Sequence, residues 1–321
     1  MLGAGYWGQK LIRSLLEVPG VERVYCVEPR PEVRLGLEHR FGSIDVLDRA
    51  DDLLENPKVR AAVVATPARS HHRLARQWLL AGKHVLVEKP VALDMDAAQE
   101  LTTLAASSGL ALLPGHTYCF NGAEEYLRGF LQAGELGELQ WLQSERMNLG
   151  RFRPDVSVLW DLAPHDASML VDLFHPTIET YGAIGAVPAA AGMDSCSVLL
   201  GTSSRAGVAW TLSWRSPVKV RRVMMIGTRR TVLWDDLDST WPLAIYRTEL
   251  RKGTGPGGSE EIVATVGDPT LPAVDHGEPL RKECQHFIDV VHGLADPLMD
   301  AAHILRVTDM VVRADAALAT S

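Results

Sequence analysis

The sequence predicts an α/β chain in two parts. Residues 1–118 read as a doubly wound parallel sheet, and residues 119–321 as an α+β domain on a large, mainly antiparallel, open-faced sheet. Three observations predict this. Apolar runs of strand length alternate with helical periodicity up to residue 118. Gly3-Ala4-Gly5-Tyr6-Trp7-Gly8 opens the first helix. Beyond residue 118 the strands lengthen and alternate with polar residues, as in a sheet with one solvated face.

Composition sets outer bounds. With 321 residues, 46% hydrophobic and 22% charged, the chain suits two globular domains of ordinary size. A net charge of −8 argues against nucleic acid as a partner. No apolar run is long enough to span a bilayer, and Met1-Leu2 leads into Gly3 with no leader pattern, so a cytoplasmic protein with no membrane partner is expected. Cys26, Cys119, Cys196 and Cys284 lie far apart without metal-ligand pairing, so reduced thiols and no metal are expected.

Gly3, Gly5 and Gly8 have the spacing of a dinucleotide loop. The first makes a tight turn, the second admits a pyrophosphate to the backbone, and the third lets helix and strand pack closely. The helix behind them carries Leu11, Ile12, Leu15 and Leu16 at helical spacing, and its amino terminus offers free N–H groups to the pyrophosphate. Only Met1-Leu2 precede Gly3, where a strand of about five residues is usual, so either the numbered chain lacks its true start or the first strand is unusually short. The next strand, Arg23–Val27, ends in Glu28, 20 residues after Gly8, where an acid binds the adenosine ribose hydroxyls. Glu28 repels a 2′-phosphate and so favours NAD; Arg30 works the other way and keeps NADP as the alternative.

The strand Ala61–Ala65 ends in Thr66-Pro67, and His71, Leu74, Ala75, Trp78 and Leu79 lie on the helix after it. Ala81-Gly82 closes that helix. Val85-Leu86-Val87 is the next buried strand, with Glu88-Lys89-Pro90 at its carboxyl end, where ligands of an open α/β sheet sit. A lysine there is a proton donor or a fixed positive charge, and the proline stiffens the turn that aims it. A helix through Ala97, Leu101 and Leu104 and a strand Ala111–Leu113 complete this part.

The second part begins with a helix from Ala123 to Gln132. An extended Glu138–Asn148, a hairpin of Asp194–Leu200 with Gly207–Trp214, and the pair Val220–Ile226 and Arg230–Trp234 follow. Trp210, Trp214, Trp234 and Trp241 cluster here, as core or as subunit contact, and a homodimer or homotetramer through this sheet is expected. Lys252–Ser259 reads as a loop without chemistry, and Glu278–His292 and Ala301–Leu318 as closing helices. Leu159–Asp166 opens an apolar helix. Pro164 marks its amino-terminal end, which puts His165 in the first turn, where the helix dipole keeps an imidazole neutral and able to accept a proton. Asp161, four residues earlier, can orient the ring; as a simple helix cap it would leave His165 an ordinary surface residue.

Together these residues resemble the Gfo/Idh/MocA (glucose–fructose oxidoreductase and inositol dehydrogenase) family along the whole chain. The likeness rests on the glycine motif, Ala65-Thr66-Pro67 with His71, Glu88-Lys89-Pro90, Gly115-His116-Thr117, Asp161-x-x-x-His165 and Glu278-Pro279-Leu280. The stretch from Asn148 to Asp166 is similar to the branch that includes bacterial UDP-N-acetylglucosamine and UDP-N-acetylglucosaminuronate 3-dehydrogenases. The resemblance implies an NAD(P)-dependent oxidoreductase that passes a hydride between a nicotinamide and a sugar hydroxyl or ketone, at carbon 3 of a nucleotide-linked sugar. Lys89 and His165 would be its acid/base pair and Asp161 their partner. Gly3, Gly5, Tyr6, Trp7, Gly8, Glu28, Arg30, Thr66, Pro67, His71, Glu88, Lys89 and Pro90 would bind the cofactor. Lys89, His116, Tyr118, Asn121, Arg146, Arg151, Asp161 and His165 would line the substrate. Arg146, Arg151 and Arg153 are candidates for its phosphates or carboxylate, since a guanidinium fork suits both. Asn121-Gly122 departs from the family's Asn-Pro, and Ser157 from the branch's Asn. Two other functions fit the motifs: an NADPH-dependent 3-ketosugar reductase, and an NAD-binding redox sensor that has no need of Lys89, Asp161 and His165 together.

Overall fold

The computed structural model describes residues 1–150, 152–153, 155–186, 193–254 and 260–319. They form two compact units. Met1–Asn121, Ala167–Asp172 and Gly277–Val312 make the first; Gly122–Asp166, Leu173–His276 and Arg313–Ser321 make the second. The units are not two consecutive segments, as a cut after residue 118 would make them, because Gly277–Val312 belongs with the first. Its Leu280, Cys284, Phe287, Ile288 and Val291 share a core with Leu11, Leu15 and Leu86.

The first unit alternates α1 (Tyr6–Glu17), β1 (Val24–Val27), α2 (Pro31–Arg40), β2 (Ile44–Leu47), α3 (Asp51–Leu54), β3 (Ala61–Val64), α4 (His71–Leu80), β4 (His84–Glu88), α5 (Met95–Ser107) and β5 (Leu112–Gly115). β1 pairs with β2, and β3, β4 and β5 pair in order, all in parallel. Leu2 joins the two groups, bridging Val27 on one side and Val64 on the other. Its N–H donates to Val63 O at 2.8 Å and its carbonyl accepts from Ala65 N at 2.9 Å. Val63, Val64, Val85, Leu86 and Val87 are all buried, because helices cover both faces of a parallel sheet and leave no polar alternation.

The second unit holds α6 (Gly122–Gln132), β6 (Leu139–Leu149), part of α7 (Val158–Phe174), β7 (Ile178–Ala186), β8 (Ser195–Thr202), β9 (Gly207–Ser213), β10 (Arg215–Gly227), β11 (Thr231–Asp235), β12 (Leu243–Tyr246), β13 (Thr248–Thr254) and β14 (Glu260–Val266). The chain closes with α8 (Pro279–Val291) and α9 (Ala301–Ala319). Seven strands form a mixed sheet in the order β12-β11-β10-β6-β9-β8-β7, in which β6 and β9 run parallel and the other neighbours antiparallel. Val198, Leu200, Val208, Trp210 and Leu212 point inward and are buried, while Leu199 and Ile184 are 56% and 70% exposed. Trp210, Trp214 and Trp234 are core, and Trp241 is exposed.

Two expectations change. Lys252–Thr254 end strand β13 rather than open a loop; residues 255–259 of that stretch lie outside the described residues. Pro164 lies inside α7, which begins at Val158. The earlier start is made by contacts that no local pattern announces: Val158 N–H donates to Met193 O at 3.1 Å, and Asp161 N–H to Ser157 O at 3.0 Å. His165 is thus beyond the first turn, and the dipole argument for its neutrality falls away.

Gly122, where the family favours proline, opens α6 against the carbonyl of Asp275, which occupies the place of a Cβ. Gly122→Ala is expected to cost about 2–3 kcal/mol of stability. A thermal melt checks this, and an unchanged Tm would mean that Asp275 gives way freely.

Candidate active site

The nucleotide loop lies in the first unit. Gly3 has φ +85°, and a Cβ on it would stand 2.8 Å from Ala65 O; a Cβ on Gly8 would collide with Gly3 O. A Cβ on Gly5 would meet nothing within 4 Å, and no side chain caps the start of α1 there. Open space before an uncapped helix start suits a pyrophosphate, so these residues fit a dinucleotide. Tyr6 is exposed, and Lys10 Nζ lies 4.8 Å from its ring and 5.0 Å from that of Trp7.

Glu28, at the end of β1, is buried. Its Oε2 accepts from Ala4 N at 3.0 Å and from Arg30 Nη2 at 2.9 Å; its Oε1 accepts from Arg30 Nε at 2.7 Å and Arg30 N at 3.2 Å. The hydrogen bonds from the Arg30 side chain are the main reason its pKa is pushed down to about 2, with the Ala4 N–H adding to them.

Thr66 and Pro67 follow β3, and Thr66 Oγ1 shares a hydrogen bond with Ser70 Oγ at 2.7 Å. His71, expected against the cofactor, is buried with Nδ1 2.7 Å from Pro90 O and Nε2 2.7 Å from Thr66 O. It ties the turn after β3 to the turn after β4. A neutral ring donates only once, and only an imidazolium donates to both carbonyls.

Glu88 ends β4. Its Oε1 accepts from Trp7 Nε1, and its Oε2 from Lys89 N at 3.3 Å. Lys89 is half-buried at the carboxyl edge of the sheet, and its peptide bond to Pro90 is cis. His116, just beyond β5, is buried beside His303, their ring centroids 5.5 Å apart. Burial, then the charges of His303 and Lys89, push its pKa well below the usual histidine value, so it is neutral. Tyr118 and Asn121 are half-buried around the 3-10 turn Thr117–Phe120, where Asn121 N–H donates to Tyr118 O at 2.8 Å.

Asp161 and His165 belong to the second unit, one turn apart on one face of α7. Asp161 Oδ2 accepts from Trp214 Nε1 at 3.1 Å, and Arg153 Nε lies 3.2 Å from its Oδ1. Phe152 packs edge-on against Trp214 at 5.8 Å. Trp214, expected as core or as subunit contact, is thus also a partner of Asp161. Its indole N–H carries the role, and no spacing rule marks it. Arg153 is engaged by Asp161 rather than offered to a phosphate. Arg146 likewise departs from expectation. It is buried, and its Nη2 donates to Asp166 Oδ1 at 2.9 Å, where Ser144 Oγ also donates at 2.7 Å; this pair pins α7 to β6. Arg151 lies outside the described residues.

Residues 1–116 match Gfo/Idh/MocA, described as an oxidoreductase family with an NAD-binding Rossmann fold. Along most of the chain, 265 residues are 31% identical to UDP-N-acetylglucosamine 3-dehydrogenase of Acidithiobacillus ferrooxidans, covering 80% of this chain and 78% of that one. The chain belongs to the Gfo/Idh/MocA family. A solved structure of the same Acidithiobacillus protein superposes with TM-score 0.81 at 23% identity, over 99% of this chain and 96% of that chain. GenD2 of gentamicin A biosynthesis, solved in complex with NAD, superposes with TM-score 0.83 at 22% identity, over 99% and 93%. Both share the fold. Against other curated family members the chain spans about half their length: 4-carboxy-2-hydroxymuconate-6-semialdehyde dehydrogenase of Sphingobium sp. is 29% identical over 178 residues, 54% of this chain and 56% of that protein. Among the described residues no helix is long and apolar enough to cross a membrane.

Proposed function

We propose that this chain is an NAD(P)-dependent dehydrogenase of a sugar secondary alcohol, acting reversibly at carbon 3 of a nucleotide-linked sugar. The first unit holds the dinucleotide; the second holds the sugar and carries self-association through the sheet face that exposes Ile184 and Leu199. The observation that carries this reading is the convergence of the uncapped glycine turn, Glu28 and Lys89 on the carboxyl edge of one parallel sheet. The 31% identity to a UDP-N-acetylglucosamine 3-dehydrogenase supports the sugar class. The fold shared with NAD-bound GenD2 supports the dinucleotide.

A bound nicotinamide supplies the hydride acceptor or donor. The Lys89 ammonium is a fixed charge for the oxygen that becomes an alkoxide as the proton leaves, a strong effect in a site with little water. His165 accepts that proton at a ring nitrogen, and Asp161 steadies the imidazolium. Trp214 and Arg153 hold Asp161 in place for this. Glu28 stays ionised at working pH, which favours NAD.

Absorbance at the reduced-nicotinamide band, across UDP-, dTDP- and GDP-sugars with NAD or NADP, tests the proposal. Turnover of one sugar class is expected. Tight NAD binding with no turnover across the panel would favour the sensor instead. Trp214→Phe keeps the ring and removes the donor to Asp161, so kcat is expected to fall about tenfold with dinucleotide affinity unchanged. An unchanged kcat would leave Trp214 a packing role alone.

A further inference from the structure

His71 opens α4 and is 1% exposed. Both of its ring nitrogens face carbonyl oxygens, Nδ1 that of Pro90 and Nε2 that of Thr66, each at 2.7 Å. A carbonyl only accepts, so each contact needs a proton on the nitrogen. A neutral ring supplies one. Its bare nitrogen would then set a lone pair against a carbonyl lone pair at hydrogen-bond distance, and a buried acceptor would go unsatisfied. The doubly protonated ring meets both carbonyls, and its charge strengthens each bond. Burial and the amino end of α4 work against that charge; the two carbonyls work for it.

The two carbonyls belong to different parts of the proposed site. The ladder between β3 and β4 ends at Val64 and Val87, so strand pairing does not hold the turns beyond it to each other. Thr66 lies under the glycine loop, where a Cβ on Gly3 would stand 2.8 Å from Ala65 O and 2.9 Å from Thr66 Cγ2. Pro90 follows Lys89 directly. One ring therefore joins the turn beneath the glycines to the turn that carries Lys89. The charged and titratable groups on the elements beside it are Arg69 in the 3-10 turn before α4, His72 and Arg76 on α4, Glu100 on α5, and Glu88 and Lys89 at the end of β4. His72 and Arg76 both pair with Glu100, and Glu88 accepts from Trp7 Nε1.

We propose that His71 is a positioning residue, held as an imidazolium between Thr66 O and Pro90 O, that clasps the glycine turn to the Lys89 turn. Loss of either ring proton frees one of the two turns. Its value to the enzyme rests on the cofactor reading above; the charge of the ring and its hold on the turns do not.

A nitrogen-15 spectrum of the histidine rings of the free protein near neutral pH, assigned with His71→Gln, is expected to show two protonated nitrogens in His71. If the Gln variant does not fold, His71→Phe, which keeps a ring of similar bulk, takes its place. One protonated and one bare nitrogen would overturn the proposal. Raising the pH until the ring loses a proton should shift the backbone amide resonances of Gly3 and Lys89 in the same step, with no cofactor present. Amides that ignore the ring's titration would equally overturn it. NADH should bind His71→Gln about fivefold to tenfold more weakly than wild type, because the amide reaches one carbonyl at a time and carries no charge; unchanged affinity would count against the clasp. Wild-type protein that binds neither NADH nor NADPH would strike at the cofactor reading, and the ring and amide spectra would still decide the role of His71.

Discussion

Lys89→Met is expected to lower kcat/KM by about a thousandfold or more, with dinucleotide affinity within a few fold of wild type. Met keeps the length of the side chain at the end of β4 and removes its charge. The backbone N–H of Lys89 still bonds Glu88, so the turn and Trp7 keep their places. The loss therefore falls on the oxygen that gains charge as the hydride moves. His165→Asn should cost about a hundredfold, as removal of a general base usually does. Steady-state kinetics at saturating dinucleotide separate the two effects. Turnover that survives both changes would place the chemistry elsewhere.

Arg30→Ala is expected to shift cofactor preference toward NAD, by about tenfold to a hundredfold in the ratio of the two affinities. Arg30 lies across both oxygens of Glu28, yet its side chain is 54% exposed. It can swing from Glu28 to a 2′-phosphate, and it masks the acid that would repel one. Without it, Glu28 faces the ribose bare. Titration with NADH and NADPH checks this, and an unchanged ratio would mean that Arg30 serves only to hold Glu28. The same pair fixes the sign of a pH effect. The folded-state pKa of Glu28 lies near 2, below its unfolded value, so its contribution to stability is full above the ordinary carboxylate range and fades as pH falls from about 4.5 toward 2. Glu28→Gln should remove that part of the acid limb of an unfolding curve.

The parallel half of the fold was readable because its strands are buried on both faces. Val63-Val64 and Val85-Leu86-Val87 have no polar partner to blur them, and the glycines before α1 answer to a backbone need that other residues cannot meet. What escaped depends on distant partners. The apolar stripe of α8 is plain, but nothing in it says that it packs on α1. Pro164 looked like a helix start because proline favours that position, whereas Met193 and Ser157 set the start six residues earlier. β7 went unread, since Gly182, Ala183 and Gly185 carry no strand pattern and much of its length is exposed. Among the proposed site residues, Lys89, Asp161 and His165 stood out by motif. Trp214 did not, because a tryptophan is usually bulk; it stands in the bend between β9 and β10, and its one N–H shows only once Asp161 is seen beside it. Arg146 misled for the opposite reason: a surface-type residue was spent on a buried acid.

The most direct test is a structure of the chain with a reduced nicotinamide dinucleotide bound. It should show Lys89 Nζ and a ring nitrogen of His165 both within about 4 Å of the place a carbinol oxygen would take in front of nicotinamide C4. A nicotinamide ring that lies beyond the reach of either nitrogen would contradict the account.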